Sequence, residues 1–174
     1  MHKKLLTGLM IGCTILAPGV VSSQIAFVDQ TAALLPNATF SSGNSIAVCD
    51  MNGDKKDDIV RTDNADMSIL TWQAAGNFIS NTYTYALSSP WGMCVGDINN
   101  DGMNDVHWGE GASARLMVWN GSGYTGSNVT TLTGAGSIFV QGCNFHDVNN
   151  DANLDMFICN DVDMSHIYMG DGNN

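Results

Sequence analysis

The sequence predicts an all-β fold made of three repeated four-stranded sheets, and three observations support this prediction. An acidic motif occurs three times at nearly constant spacing, apolar residues alternate with small or polar ones beside each motif, and glycine-bearing turns separate the alternating stretches. Alternation with a period of two indicates strands, because successive side chains of a strand point to opposite faces of a sheet. Nineteen glycines against three prolines favour strands joined by turns.

Residues 1–23 are predicted to be a signal peptide. Lys3 and Lys4 precede an apolar run, and Val21 and Ser23 provide a small-residue cleavage site, as in secretory signals. Cleavage after Ser23 would leave 174 − 23 = 151 residues, and lipoprotein-type cleavage at Cys13 is the alternative. No later stretch has the ~18 uninterrupted apolar residues that a membrane span needs. We therefore expect an exported protein that is extracellular, at the cell surface or periplasmic, with residues 24–174 as its mature chain.

The mature chain is strongly acidic. Without Lys3 and Lys4 its net charge is 4 − 17 = −13, and sixteen of the seventeen acidic residues are aspartate. The short aspartate side chain places its carboxylate close to the backbone, which suits turns and hard-cation sites. Nucleic-acid binding relies on clustered basic residues, and the mature chain has four in all. We therefore expect no nucleic-acid partner.

The three acidic motifs share one frame. They read "VCDMNGDKKDDIV" from Val48, "VGDINNDGMNDVH" from Val95 and "FHDVNNDANLDMF" from Phe145, with first aspartates 47 and 50 residues apart, and the similarity continues downstream without gaps. Repeats of roughly 40 to 50 residues with four short strands are typical of β-propeller blades. We predict blades near residues 43–88, 90–135 and 137–174, with each acidic motif in the hairpin loop between the first two strands.

Each loop offers oxygen ligands for a cation. Side chains at positions 1, 3, 5 and 9 of a tightly wound loop can converge on one point, and an all-oxygen set with three carboxylates favours Ca²⁺ over Mg²⁺. An EF-hand is excluded because its position 12 requires an acid, whereas Arg61, Trp108 and Ile158 occupy that position here. The predicted ligand side chains are Asp50, Asn52, Asp54 and Asp58; Asp97, Asn99, Asp101 and Asp105; and Asp147, Asn149, Asp151 and Asp155.

At these residues the chain resembles the FG-GAP/VCBS repeat family, whose Asp-x-Asp/Asn-x-Asp-Gly-x-x-Asp loops bind Ca²⁺ within β-propeller blades, as in integrin α-subunits. The resemblance covers about residues 25–174. It implies up to three Ca²⁺ ions, one per repeat, and adds the carbonyls of Lys56, Met103 and Asn153 to the ligands. Only the second loop keeps the family's glycine, Gly102; a left-handed backbone at that position would strain the other two loops.

The resemblance also implies a function and leaves the assembly open. It implies a binding or adhesion module that presents propeller loops to an extracellular protein or glycan. Such propellers usually have seven blades, so three blades are consistent with a fragment of a longer chain, an open arc, or half of a homodimeric six-bladed ring. The stretch 25–36 resembles the strand that the third blade lacks and could complete a blade.

Two further functions remain open at the sequence level. The chain could be a polysaccharide-acting hydrolase or lyase, or a non-catalytic part of one, although no acid–base pair outside the loops suggests catalytic residues; a structural spacer is the third hypothesis. His107, His146 and His166 show no metal-ligand spacing, which favours ordinary hydrogen-bonded histidines. Cys143 and Cys159 flank the third motif symmetrically and are expected to form either a disulfide or two buried thiols.

Overall fold

A computed structural model describes residues 26–36, 45–63, 66–84, 90–109, 114–128 and 139–173. These residues form one helical turn and eleven strands, which confirms the all-β prediction. The elements are α1 (Thr31–Leu34); β1 (Ser45–Cys49), β2 (Asp58–Thr62), β3 (Asp66–Trp72) and β4 (Phe78–Thr84); β5 (Met93–Gly96), β6 (Asp105–Gly109), β7 (Ala114–Trp119) and β8 (Tyr124–Asn128); and β9 (Val140–His146), β10 (Asp155–Asn160) and β11 (His166–Tyr168). Within the described ranges, no helix is long and apolar enough to cross a membrane.

The strands form three antiparallel sheets in chain order, which we call blade 1 (β1–β4), blade 2 (β5–β8) and blade 3 (β9–β11). Each strand pairs with its sequence neighbour, as in a propeller blade. The described sheets follow one another as an open array and do not close into a ring. The acidic motifs lie between β1 and β2, β5 and β6, and β9 and β10, as the sequence predicts.

The hydrophobic core lies between the faces of successive blades. In blade 1, Ala47 pairs with Val60, so both side chains lie on one face of the sheet. That face packs against Val95 and Trp108 of blade 2 in a single apolar cluster, in which Val60 and Trp108 are completely buried. Strand β5 contacts β1 on one side and β9 on the other, so blade 2 is packed between its neighbours.

Blade 3 departs from the gap-free alignment by one residue. Ile59 pairs with Leu70 in blade 1, and Val106 pairs with Met117 at the equivalent position of blade 2. In blade 3 the equivalent Met156 pairs with Tyr168, one residue later than the alignment predicts. The turn between β10 and β11 therefore contains one additional residue, which the sequence comparison did not detect.

The register of β9 and β10 excludes the disulfide between Cys143 and Cys159. Asp155 pairs with His146, and this register places Cys143 opposite Ile158 and Cys159 beside Gly142. The two cysteines therefore lie on opposite faces of the sheet, because a one-residue offset reverses the direction of a side chain. Both are free thiols, and Cys159 is exposed rather than buried.

The described part of the stretch 25–36 contains a helical turn where the sequence analysis expects a strand. The Asp29 carboxylate accepts the backbone N–H of Thr31 at 2.9 Å, and the Leu35 N–H donates to the Thr31 carbonyl. Local bonds of this kind favour turns over extended backbone. Phe27 and Val28 are exposed, so this stretch does not complete a blade in the described structure.

Candidate metal centre

The aspartate at position 1 organises the backbone of every acidic loop. Its Oδ1 accepts the N–H of position 5, and its Oδ2 accepts the N–H of position 6. The two distances are 3.2 and 2.7 Å at Asp50, 3.0 and 2.8 Å at Asp97, and 3.1 and 2.9 Å at Asp147. The three loops therefore wind around their first carboxylate in the same way.

Positions 3 and 5 repeat a second pair of bonds. The side-chain oxygen of position 3 accepts the N–H of position 5 at 2.9 to 3.1 Å, and that of position 5 accepts the N–H of position 7 at 2.8 to 2.9 Å. The second carboxylate oxygen of position 5 is paired as well: Asp54 with Lys56 at 3.4 Å, Asp101 with Asn99 at 3.0 Å, and Asp151 with Asn149 at 2.8 Å. The nine predicted ligands at positions 1, 3 and 5 therefore lie at equivalent turn positions in all three loops.

The sixth position is left-handed in all three loops. Its φ is 67° at Lys55, 88° at Gly102 and 72° at Ala152. A left-handed conformation costs a residue with a Cβ roughly 1–2 kcal/mol, whereas glycine adopts it freely. At this position the condition for strain is therefore met in the first and third loops, and the second loop avoids it with Gly102.

The ninth aspartate connects its loop to the third strand. Asp58, Asp105 and Asp155 are at most 1% exposed. Their Oδ2 atoms accept the N–H of loop position 2 at 2.9 to 3.2 Å, and their Oδ1 atoms accept the N–H of Trp72, Trp119 and Gly170 at 2.9 to 3.0 Å. Sequence reasoning missed this bracing role. Each carboxylate oxygen has a second lone pair, so the role of these residues as ligands stays a prediction.

Asp50 and Asp105 show opposite shifts in carboxylate pKa. At Asp50, desolvation acts to raise the pKa, but four backbone N–H donors, led by that of Lys55, lower it below its ordinary value. At Asp105, burial raises the pKa to about 6 against the hydrogen bonds from Trp119 and Ile98, and the charges of Asp101 and Asp97 raise it further. The second loop therefore concentrates negative charge that no cationic side chain of the loop offsets.

The loops contain the right donors for a hard cation but hold them apart. All predicted side-chain donors are carboxylate or amide oxygens, and position 7 adds a carbonyl. Among the described loop residues, the three carboxylates of one loop do not all lie within 4.8 Å of one another. The donor chemistry fits Ca²⁺, whose coordination is flexible. Positions 1, 3, 5 and 7 would form the outer part of the cage, and position 9 would close it from inside.

Neighbouring loops are also bonded to each other. Asn104 donates its side-chain amide to the Asp50 carbonyl at 2.7 Å, and the Tyr124 hydroxyl lies 3.3 Å from the Met51 carbonyl. Loops two and three meet where the Asn100 amide donates to the Asn153 side chain at 3.4 Å. The other repeats have different residues at the positions of Asn104 and Tyr124. The repeat pattern therefore contained no signal for these contacts.

Comparison with known proteins identifies the kind of repeat. Curated proteins gave no match. A family model described as FG-GAP-like repeat matches residues 50–108 and 97–158, so each match begins at the first aspartate of a loop and extends into β6 or β10. The matches together cover more than half of the 174 residues. The family resemblance inferred from the acidic motifs is thereby confirmed, and the chain belongs to the FG-GAP-like repeat family.

Proposed function

We propose that this chain is an exported, calcium-binding repeat module that attaches to an extracellular protein or glycan, with Ca²⁺ in a structural role. Membership of the FG-GAP-like repeat family supports the general class of a repeat-containing binding module. The observation that carries the calcium proposal is the same hydrogen-bond pattern in three loops, each with oxygen donors at positions 1, 3, 5, 7 and 9.

Calcium would stabilise the blades by offsetting repulsion within each loop. Two carboxylates ~4 Å apart repel by about 1 kcal/mol even at the dielectric constant of water. A bound cation would replace this repulsion with attraction. Extracellular modules often bind Ca²⁺ with Kd of ~10⁻⁴ to 10⁻³ M, and a ligand that binds only the folded state stabilises it according to its occupancy.

The position of the loops supports a role in binding. The bonds from Asn104 to Asp50 and from Asn100 to Asn153 bring the three loops together along one edge of the blades, where most of their residues are exposed. Ion binding would therefore fix an acidic surface made of three similar loops. A protein or glycan partner that contacts this surface would bind in a calcium-dependent manner.

The first test is thermal unfolding of the full chain in excess EDTA, in several millimolar Ca²⁺ and in the same concentration of Mg²⁺. We expect a large increase in Tm that is specific to Ca²⁺. An equal transition in all three conditions would refute the calcium proposal.

Charge-neutralising variants at position 5 refine this test. Asn in place of Asp54, Asp101 or Asp151 keeps the side-chain oxygen that accepts the position 7 N–H but removes one ligand charge. Each replacement should reduce the calcium-dependent rise in Tm by about the contribution of one loop. It should change the Tm measured in EDTA very little. The matched control is Asp57→Asn, an exposed loop residue outside the ligand positions. A calcium response that survives the triple variant would contradict the assignment of these loops.

A binding module and a structural spacer differ in one measurable property. Immobilised extracellular glycans and matrix proteins can be screened with the full chain in Ca²⁺ and in EDTA. Saturable binding that requires Ca²⁺ and is lost in the triple position 5 variant, at a temperature where that variant is folded, would support the binding module. Absence of such binding would favour the spacer.

A further inference from the structure

Two thiols and an imidazole meet between blades 2 and 3. The Nδ1 atom of His107 lies 3.7 Å from Sγ of Cys94 and 3.4 Å from Sγ of Cys143, and the three potential ligand atoms all lie within 4.8 Å of one another. His107 is completely buried, Cys94 is 6% exposed and Cys143 is half-buried. We call these three residues the thiol–imidazole cluster.

The cluster is held by strands of two blades. Cys94 on β5 and His107 on β6 are cross-strand partners, and Cys143 belongs to β9 of the next blade. The two backbones approach closely at this point: a Cβ added to Gly92 would lie 2.6 Å from Cα of Gly142. The blades therefore cannot separate or slide here without breaking backbone contacts, and the three side chains are held together by the fold.

The equivalent positions at the interface between blades 1 and 2 are apolar. Counted from the acidic motifs, they are occupied by Ala47, Val60 and Met93. Ala47 and Val60 are cross-strand partners, and all three residues belong to the core between those blades. Equivalent positions are thus occupied by apolar side chains at one interface and by two thiols and an imidazole at the other. Packing alone does not require two thiols and an imidazole.

The distances match those of a metal-bound set. Zn²⁺ binds thiolate sulfur at about 2.3 Å and imidazole nitrogen at about 2.0–2.1 Å in tetrahedral geometry, which separates sulfur from nitrogen by roughly 3.6 Å. The distances of 3.7 and 3.4 Å bracket this value. Among the described residues, Nε2 of His107 has no hydrogen-bond partner, so the polar contacts of the ring are those between Nδ1 and the two sulfurs.

We propose that Cys94, His107 and Cys143 bind one Zn²⁺ ion that joins blades 2 and 3, with water at the fourth coordination position. Thiolate and imidazole ligands select borderline and soft cations, whereas Ca²⁺ takes oxygen ligands. The zinc site is therefore chemically distinct from the acidic loops, and both kinds of ion can be bound at the same time.

Cobalt provides the direct test because a thiolate ligand gives Co²⁺ an intense near-ultraviolet charge-transfer band that carboxylates do not give. The full chain is reduced, transferred to buffer with a non-coordinating phosphine reductant and several millimolar Ca²⁺, and titrated with Co²⁺. We expect the band to saturate at one equivalent, with the visible spectrum of a tetrahedral site, and one equivalent of Zn²⁺ to abolish it. A folded, reduced protein without this band would overturn the proposal.

The apolar interface between blades 1 and 2 supplies a variant that should fold without the metal ligands. The triple substitution Cys94→Ala, His107→Val and Cys143→Met copies its three apolar residues and should therefore fold without the metal site. It should lose the band and weaken Zn²⁺ binding by more than about 100-fold, since changes outside the ligand shell alone cost 10–100-fold. Cys159→Ser removes an exposed thiol outside the cluster and should keep both the charge-transfer band and the Zn²⁺ affinity.

Two further measurements keep the test decisive. If the triple variant does not fold, Cys143→Met alone must weaken Co²⁺ binding and lower the intensity of the band, because one of the two thiolates is lost; a folded variant with unchanged affinity and band intensity would refute the assignment. Peptide mapping of protein isolated without reductant shows whether Cys94 and Cys143 are joined. A disulfide between them, together with no Co²⁺ binding by the reduced protein, would identify the cluster as a redox pair and exclude the zinc site.

Discussion

The carboxylate of Asp58 accepts the backbone N–H of Trp72 at 2.9 Å, fourteen residues further along the chain. Its other oxygen accepts the N–H of Met51 at 3.1 Å, and the side chain is completely buried. One carboxylate therefore connects the start of the acidic loop to the end of β3. Asp105 and Asp155 make the equivalent bonds in the other blades, so the ninth position braces each blade through the protein alone.

Replacing this brace with its amide should destabilise blade 1. In Asp58→Asn, the amide NH₂ would face one of the two backbone N–H donors, leaving that donor buried and unsatisfied. A buried unsatisfied polar group costs about 1–3 kcal/mol. We expect a loss of that size in the free energy of unfolding, measured by urea denaturation in EDTA so that no ion contributes. The control Asp57→Asn is exposed, and equal losses in the two variants would contradict the bracing role.

Exchanging glycine and alanine at the sixth loop position should change the stability in opposite directions in the second and third loops. An added Cβ at Gly102 would meet nothing within 4 Å, so Gly102→Ala tests the left-handed backbone without any steric clash. It should destabilise the protein by about 1–2 kcal/mol, and Ala152→Gly should stabilise it by up to about 1 kcal/mol. Denaturant titrations of both variants and the wild type in EDTA provide the comparison. Changes of the same sign in both variants would show that backbone strain is not the cause.

The parts of the fold that the sequence predicted depend on local patterns. Alternation of apolar residues and the spacing of Asp50, Asp97 and Asp147 were sufficient for the strands, the blades and the location of the loops. The conformation at Lys55 and Ala152 could also be anticipated, because the second copy has glycine at that position. Each of these signals lies within one repeat or recurs between repeats.

The parts that the sequence did not predict depend on register and on contacts between blades. The predicted symmetry of Cys143 and Cys159 about the third motif fails because the hairpin is offset by one residue. The cluster of His107 with two cysteines combines strands β5, β6 and β9, and no linear spacing reveals such a set. The buried ninth aspartate was expected as a ligand from the motif, and its hydrogen bond to β3 became visible only in three dimensions.

The contact between the first two loops predicts a role for a buried hydroxyl. Tyr124 is 7% exposed, and its hydroxyl lies 2.9 Å from the Asn104 carbonyl and 3.3 Å from that of Met51. Tyr124→Phe removes this donor and leaves the Asn104 carbonyl without it, which should cost about 1–2 kcal/mol. Tyr83, whose ring lies edge-on to Tyr124 at 5.5 Å, provides the matched control Tyr83→Phe. Chemical denaturation should separate the two variants, and equal stabilities would show that the hydroxyl does not join the loops.

The close approach of blades 2 and 3 predicts opposite results for two facing glycines. A Cβ on Gly92 would lie 2.6 Å from Cα of Gly142 and 2.8 Å from its nitrogen, whereas a Cβ on Gly142 would meet nothing within 4 Å. Because backbone atoms cannot move aside as a flexible side chain can, Gly92→Ala should force the blades apart and destabilise the protein by about 1–3 kcal/mol or more. Gly142→Ala should be close to neutral.

Urea denaturation of the two glycine variants measures this difference, and hydrogen exchange locates it. In Gly92→Ala, amide protection should fall in β5 and β9, which face each other across the interface, and remain unchanged in β3 and β4 of blade 1. Uniform loss of protection throughout the chain would indicate global unfolding instead of a local opening between the blades. Equal stability of the two variants would mean that the backbones at Gly92 and Gly142 are not in contact in solution.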